Sequence, residues 1–411
     1  MNISRRHLAL VGVNYAPETT GIAPYTTAFA EQLARAGMSV TAATAVPHYP
    51  EWRIPSDYVD TPTRTECING VTVERVTPRM PVPMTAVNRA RFELSFAWRI
   101  RPVLNRLLPD AFIAIVPSLL SAVTAERAAR RRGVPFGVIF QDLMGRSAEQ
   151  SGMAGKGIGA LTSAVETRLA KSAALVGVVA SGFSDFLTTA GVRPEKIRHL
   201  PNWCHIAPSS AVRTDVRARL GWPDNRLVVL HAGNMGAKQA LENVVDTARL
   251  AEPTHPEVLF VLMGDGSRRI ALQERATGLR NLAFLEPQPS ADFPDVLAAA
   301  DVLIVNERAT VRDMSLPSKL TSYFSAGRPV IAAVRDDGTT AAEVQRAGGG
   351  LIVPPENGQA LLDAIVELGR TPERAASLGR AGRLYAQDVL GEKAAAARSV
   401  QFATDLLNSR L

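Results

Sequence analysis

Two glycines and a lysine carry the first chemical signal. In "HAGNMGAKQALENVV" (231–245), Gly233, Gly236 and Lys238 follow an apolar run and precede a helix-like stretch. Glycine permits positive φ and lets backbone N–H groups approach an anion closely. A helix start adds further N–H groups and the positive end of its dipole. Strand, glycine turn and helix in that order suit a phosphate or diphosphate at the carboxyl end of a parallel strand. The spacing is neither that of a Walker A loop nor that of a Rossmann fingerprint. At this turn alone, a glycine-capped bend with a solvated lysine explains the residues equally well.

Two further stretches favour the anion. "VLMGDGSRR" (261–269) places Gly264 and Gly266 around Asp265, again at a strand's end. In "SLPSKLTSYFSAGRPVIA" (315–332), Pro317 and Ser318 suit a helix start, and Lys319 falls in its first turn. A cation gains nothing from the dipole there, so it either faces an anion or is solvated.

The elements that must position these residues alternate along the chain. Apolar runs of strand length at 7–14, 39–46, 110–117, 135–142 and 173–180 are separated by helix-like stretches, such as 23–37, which ends at Gly37. Residues 196–212 interrupt the rhythm with prolines and small residues and read as a linker. The pattern restarts at 226–232 and continues at 257–264, 281–286, 300–306, 328–334 and 349–354. Continuous Val/Ile/Leu runs joined by helices indicate parallel sheets covered on both faces. The expected fold is therefore α/β with two doubly wound domains, 1–205 and 206–390, followed by a terminal helix over 391–411.

Composition bounds the function. The 411 residues are 46% hydrophobic and 21% charged, an ordinary globular balance. The longest nearly apolar run, 111–123, is too short to span a bilayer and contains Pro117. The basic start of the chain lacks a cleavage site and reads as a first strand. Cys67 and Cys204 support neither a disulfide framework nor a zinc site. These features lead us to expect a cytoplasmic protein. Residues 1–200 carry 23 Lys and Arg against 15 Asp and Glu, and the remainder carry 23 against 24, so the net +7 lies in the first half. Nucleic acid and an anionic membrane surface both suit that asymmetry. No helix-turn-helix, zinc-finger or RNA-binding motif accompanies it, which argues against nucleic acid. In 87–108, Phe92, Phe96, Ile100, Val103 and Leu107 share one helical face, with Arg91, Arg99 and Arg106 on the other. Such a helix either lies in a membrane interface or packs on the core with its arginines solvated. A dinucleotide-dependent oxidoreductase would need a glycine fingerprint after the first strand, and "VGVNYAPETTG" has none.

Together, "NYAPETTGIAPYT", "HYPEW", "LPNW", "GNMGAKQALENV", "MGDGSRR" and "LPSKLTSYFSAGRPVIA" resemble the family 4 glycosyltransferases of GT-B fold, in the WcaI- and WbuB-like branch of surface-polysaccharide assembly. The resemblance implies two Rossmann-like domains facing across a cleft, the first for the acceptor and the second for a nucleotide-sugar, with the last helix returning to the first domain. It implies a GDP- or UDP-sugar donor as co-substrate, no other cofactor, a glycan or polyprenyl-linked acceptor, and transfer with retention. A lipid-linked acceptor would place the protein at the inner face of the membrane. Gly233, Asn234, Gly236 and Lys238 would border the diphosphate. Gly264, Asp265 and Gly266 would line the nucleotide pocket, and Ser318, Lys319, Leu320, Thr321 and Ser322 the diphosphate and ribose. Gly21 would face the donor, with Tyr25 and Gln141 on the acceptor side.

The chain departs from the wider family at several places. Asn234 stands near a common arginine. Met314 and Ser322 occupy the places of a glutamate pair, and Gln141 that of a histidine. Catalysis in such a site means stabilising the charge left on the diphosphate. Lys238 is the first candidate for that task. The absence of any D-x-D sequence predicts that no metal takes that role. Glu18 and Asp142 are the acids available if the reaction uses a base; otherwise Glu18 is a solvated loop acid and Asp142 a strand-end cap. The competing readings are a catalytically silent partner of another transferase and a GT-B nucleotide-sugar epimerase.

Overall fold

The computed structural model describes residues 6–59, 62–83, 85–145, 156–204, 206–311 and 319–409. It divides into two units, Met1–Asn202 with Ala395–Leu411, and Trp203–Ala394. Each is built on one sheet, as the alternation of apolar runs and helices predicts.

The first unit holds β1 (His7–Val11), α1 (Ala23–Arg35), β2 (Ser39–Ala45), β3 (Thr63–Ile68), β4 (Val71–Val76), α2 (Ala86–Arg106), β5 (Ala111–Val116), α3 (Leu119–Arg132), β6 (Phe136–Phe140), α4 (Lys156–Ser172), β7 (Leu175–Val178), α5 (Ser181–Thr189) and β8 (Ile197–His199). The strand order is β3-β4-β2-β1-β5-β6-β7-β8, parallel except for the β3–β4 hairpin. That hairpin turns at Asn69 and Gly70, both with positive φ, as a two-residue Asn-Gly turn requires. Central β5 and β6 are buried along their whole length, which explains their unbroken apolar sequences. One expectation changes. Residues 196–212 are not linker throughout, because Ile197–His199 pair in parallel with Val176–Val178 as an edge strand. Three residues are too few to show a pattern in sequence.

The second unit holds α6 (Arg213–Leu220), β9 (Leu227–Ala232), α7 (Glu242–Ala251), β10 (Val258–Met263), α8 (Arg269–Arg275), β11 (Leu282–Leu285), α9 (Phe293–Ala299), β12 (Val302–Asn306), α10 (Lys319–Ala326), β13 (Val330–Ala333), α11 (Thr339–Ala347), β14 (Gly350–Val353), α12 (Gly358–Arg370) and α13 (Pro372–Asp388). Its all-parallel order, β11-β10-β9-β12-β13-β14, is the doubly wound arrangement with its switch point between β9 and β12. An apolar core packs on each face of this sheet, one around Phe324 and Tyr323, the other around Phe260 and Ile365.

The terminal helix α14 (Glu392–Asn408) lies, from Ala395 onward, in the first unit. Phe402 meets Phe29 of α1 edge to face at 6.4 Å, and Ser399 Oγ donates to Gln32 Oε1 at 2.8 Å. Gly137 of β6 makes room for it, since a Cβ there would stand 3.0 Å from Leu406. Phe402 is 1% exposed. Phe402→Ala should therefore cost about 3–5 kcal/mol through lost burial and a cavity. A urea titration followed by circular dichroism measures this; a loss well below 1 kcal/mol would mean that the helix does not hold the unit together.

Candidate functional site

In the second unit, the neighbouring parallel strands β9 and β10 bring two glycine turns into contact, beside the switch point. Gly233, after β9, and Gly264 and Gly266, after β10, all have φ between +131 and +155, open to glycine and strained for other residues. A Cβ on Gly264 would collide with the Gly233 carbonyl, and one on Gly266 would stand 2.7 Å from the Met235 backbone. The turns are laced by Gly233 N to Met263 O (2.9 Å), Met235 N to Asp265 O (2.8 Å) and Arg268 N to Met235 O (2.9 Å). Backbone is all that fits where they meet.

The first turn continues as a short 3-10 segment, Ala237–Gln239, which carries an exposed Lys238. Gly236 is its N-cap; its N–H donates to Gln239 Oε1 at 3.1 Å. Ala240 follows at φ +42, and buried Asn306, the last residue of β12, clamps it there. Asn306 Nδ2 donates to Gln239 O (2.7 Å) and Ala240 O (2.9 Å), while its Oδ1 accepts from Asn243 (2.8 Å).

Lys319 opens α10 and lies close enough to Gly233 that a Cβ there would stand 3.6 Å from its side chain. Its Nζ is 3.5 Å from Nε2 of His231, which is fully buried in β9. Burial first, and the Lys319 charge second, hold His231 well below its ordinary pKa, so it is neutral. Burial also lowers Lys319 to about 8, against the opposing pull of Glu307. Tyr323, one turn further along α10, binds the end of β9 through both groups of Ala232, accepting from N at 2.8 Å and donating to O at 3.2 Å.

Of the residues singled out in sequence, Gly233, Asn234, Gly236, Lys238, Gly264, Asp265, Gly266 and Lys319 gather around these turns. Asn234 and Asp265 are exposed, and Asp265 caps Gly266 N at 2.7 Å. Leu320 is entirely buried in the core, and Thr321 and Ser322 are buried in the body of α10. Ser318 and Met314 lie outside the described residues. Sequence reasoning missed His231, Tyr323, Asn306 and Glu307. Polar residues ending apolar strands were the available signal for His231, Asn306 and Glu307; Tyr323 resembles any helix aromatic.

The first unit gathers a second cluster at the carboxyl end of its sheet. Glu18 is 9% exposed, and both carboxylate oxygens are engaged. Oε1 accepts from the backbone N–H groups of His48 (2.7 Å) and Tyr49 (2.9 Å), and Oε2 accepts from Asn14 Nδ2 (2.8 Å). It ties the loop after β1 to the loop after β2 and is not solvated. Gly21, at φ +63, packs against Tyr49, 3.0 Å from where its Cβ would be. His48 is buried, with Nδ1 at 2.8 Å from Val46 O, and burial lowers its pKa. Its ring leans on Trp52 and Phe92 at 5.4 and 5.2 Å, and the Arg89 guanidinium lies over both of those rings. Gln141 is buried after β6 with an unpartnered Oε1, while Asp142 beside it is half-buried. Tyr25 is half-buried in the first turn of α1.

If Glu18 is a staple, Glu18→Ala leaves two buried N–H groups unpaired and should cost about 1–3 kcal/mol of stability. Glu18→Gln should keep most of it, because Oε1 still accepts and the Asn14 amide can turn. Melting temperatures of the pair decide this; equal melting of wild type and Glu18→Ala would contradict the staple.

Known proteins share both halves. Residues 20–203 match the Glycosyl transferase 4-like domain, and residues 226–370 match Glycosyl transferases group 1. The chain is 31% identical over 334 residues to the Escherichia coli protein named as the colanic acid biosynthesis glycosyl transferase WcaI, covering 78% of this chain and 81% of that one. Its fold is similar to that of a sucrose-phosphate synthase from Thermosynechococcus elongatus (TM-score 0.73, 20% identity, 98% and 99% of the two chains). It is also similar to HepE of Anabaena, solved with UDP (TM-score 0.71, 17% identity, 98% and 100%).

Proposed function

We propose, from the premise that this chain belongs to the glycosyltransferases of GT-B fold, that its donor is a nucleotide-sugar, GDP- or UDP-linked, whose diphosphate lies at the two glycine turns of the second unit. The carrying observation is the side-chain-free contact of Gly233 with Gly264, beside Lys238 and Lys319. An anion there meets turn backbone that carries no side chains, and two cations. Those groups also oppose the charge that grows on the diphosphate as the glycosidic bond breaks. The UDP held by the similar HepE fold supports the same donor class. The named relative is a transferase, which lends no weight to an epimerase or a silent partner.

In this reading the transfer retains configuration. Glu18 is occupied with its loops, so the donor phosphate itself takes the acceptor proton, with no dedicated base. The acceptor, a glycan or polyprenyl-linked glycan, belongs to the first unit, near Tyr25 and Gln141. No helix among the described residues is long and apolar enough to cross a membrane. Contact with one is instead assigned to α2, through Trp98 and not through the two phenylalanines that accompany it in the sequence. Phe92 and Phe96 are fully buried, whereas Trp98 and Leu94 are 72% and 59% exposed beside exposed Arg91, Arg99 and Arg101. Exposed aromatic and aliphatic groups among arginines suit an anionic lipid surface at the inner face of the membrane.

Two measurements check this. A ligand bound only by the folded state raises the melting temperature, by about 2.7 kcal/mol of stabilisation at a hundredfold excess over Kd. UDP or GDP should raise it for the wild type and not for Lys238→Ala; an unchanged response in the variant would remove the donor assignment. In vesicle flotation, phosphatidylglycerol should carry more protein than phosphatidylcholine, and Trp98→Ala with Arg99→Ala should reduce the difference. Equal binding to both lipids would leave α2 a solvated helix.

A further inference from the structure

Tyr49 and Trp52 of "HYPEW" (48–52) serve neither the donor turns nor the buried core. The loop after β2 that carries them is fixed at its start by Glu18, which accepts from the N–H groups of His48 and Tyr49. It is closed at its end by Arg53 N, which donates to His48 O at 3.1 Å. Inside this loop Trp52 stands at φ +54, the one aromatic residue at positive φ among the described residues. A bulky side chain is strained there, where glycine or asparagine sits more easily. In return the loop sets the place of an indole ring at the carboxyl end of the sheet, the end where ligands of open parallel sheets bind.

The ring is gripped but not covered. The Arg89 guanidinium of α2 lies over it at 4.7 Å, and Tyr49 meets it edge to face at 5.7 Å. Buried His48 and Phe92 contact it at 5.4 and 5.5 Å. Trp52 and Tyr49 themselves are only half-buried. Arg89 donates to Glu93 Oε1 at 3.2 Å, and Glu93 Oε2 accepts from Ser118 Oγ, just after β5, at 2.7 Å. Strands β2 and β5 and helix α2 thus all contribute to one cluster.

Its chemistry selects the ligand. A rigid, partly open indole offers an apolar face and loses no rotamer freedom when something stacks on it. The cation beside it is paired with Glu93, so the cluster carries no net charge to draw an anion. The guanidinium and the phenol still present polar hydrogens next to the ring. A pyranose matches all three properties: ring C–H groups on one face, hydroxyls around the rim and no charge. An anionic headgroup gains little here and is better served by the exposed arginines around Trp98.

We propose that Trp52, flanked by Arg89 and Tyr49, is the platform on which a neutral sugar ring of the acceptor stacks. The proposal rests on the reading that the first unit takes the acceptor, and it adds the chemical class of the group held. Trp52 supplies stacking, and Arg89 reads the hydroxyls at the rim.

The test uses the full chain labelled with 5-fluorotryptophan. Its four tryptophans are Trp52, Trp98, Trp203 and Trp222, and their fluorine resonances are assigned by single Trp→Phe variants. Methyl glycosides of glucose, galactose, mannose, rhamnose, fucose and N-acetylglucosamine are titrated at millimolar concentrations. At least one should move the Trp52 resonance saturably and leave Trp222 in place. Arg89→Met should weaken that response about threefold to tenfold, the size of a single stacking or hydrogen-bonding contact. With lipid-linked glycans extracted from membranes as acceptor, Trp52→Ala should raise the acceptor KM about tenfold. Trp52→Phe should restore most of the loss, and the KM for the nucleotide-sugar should not change.

Silence of Trp52 toward every glycoside would overturn the platform, and so would equal movement of all four resonances. A Trp52 response to inorganic phosphate and to no glycoside would make the cluster an anion site and overturn it too. So would an unchanged acceptor KM in Trp52→Ala, or equal losses for acceptor and nucleotide-sugar, which a purely structural role produces. Should Trp52→Ala not fold, the fluorine titration of wild type still decides. The donor assignment is read separately from the melting response to UDP and GDP: it survives a silent Trp52, and its own failure would leave a responding Trp52 in place.

Discussion

At the switch point of a doubly wound sheet, the connections from two adjacent strands leave toward opposite faces, and the space between their carboxyl ends stays open. In the second unit those strands are β9 and β12. On one side of that opening, where β9 meets β10, the lining is backbone. Gly233 and Gly264 approach so closely that neither a side chain nor the φ of an ordinary residue is tolerated at Gly264. The rest of the site supports that contact. Tyr323 fixes the end of β9, Asn306 holds the 3-10 segment that carries Lys238, and the Lys319 side chain lies against the glycine. Remove the contact and each of these groups points at a position that no longer exists.

The two units use the same sheet logic for different ends. Where the second keeps its opening free of side chains, the first fills its corresponding edge with them: Glu18 and Asn14 after β1, His48, Tyr49 and Trp52 after β2. Glu18 illustrates how burial reassigns a residue. A carboxylate removed from water needs hydrogen-bond partners, and two backbone N–H groups and an amide supply them. The groups that satisfy it also consume it.

Helix α2 shows how far a helical wheel can be read. The wheel correctly separates an apolar face, Phe92, Phe96, Ile100 and Val103, which is buried. It does not single out Val87 and Leu94, which together with Trp98 interrupt the arginine face and remain exposed. Their significance appears only once the core is seen to be complete without them.

The glycine turns, Lys238 and Lys319 and the two sheets were legible in the sequence, because each depends on residues close together in the chain or on an apolar period repeated many times; the transferase class came from the resemblance of the motifs to a known family. The Asn69-Gly70 hairpin was not anticipated from the sequence, although its two-residue turn is a local signal. The partnerships were not. Glu307 is separated from Thr340 by 33 residues, Lys319 from His231 by 88, and Ser399 from Gln32 by 367. Local sequence carries propensity and periodicity. Which buried charge meets which is set by strand order, and strand order exists only after distant segments have paired.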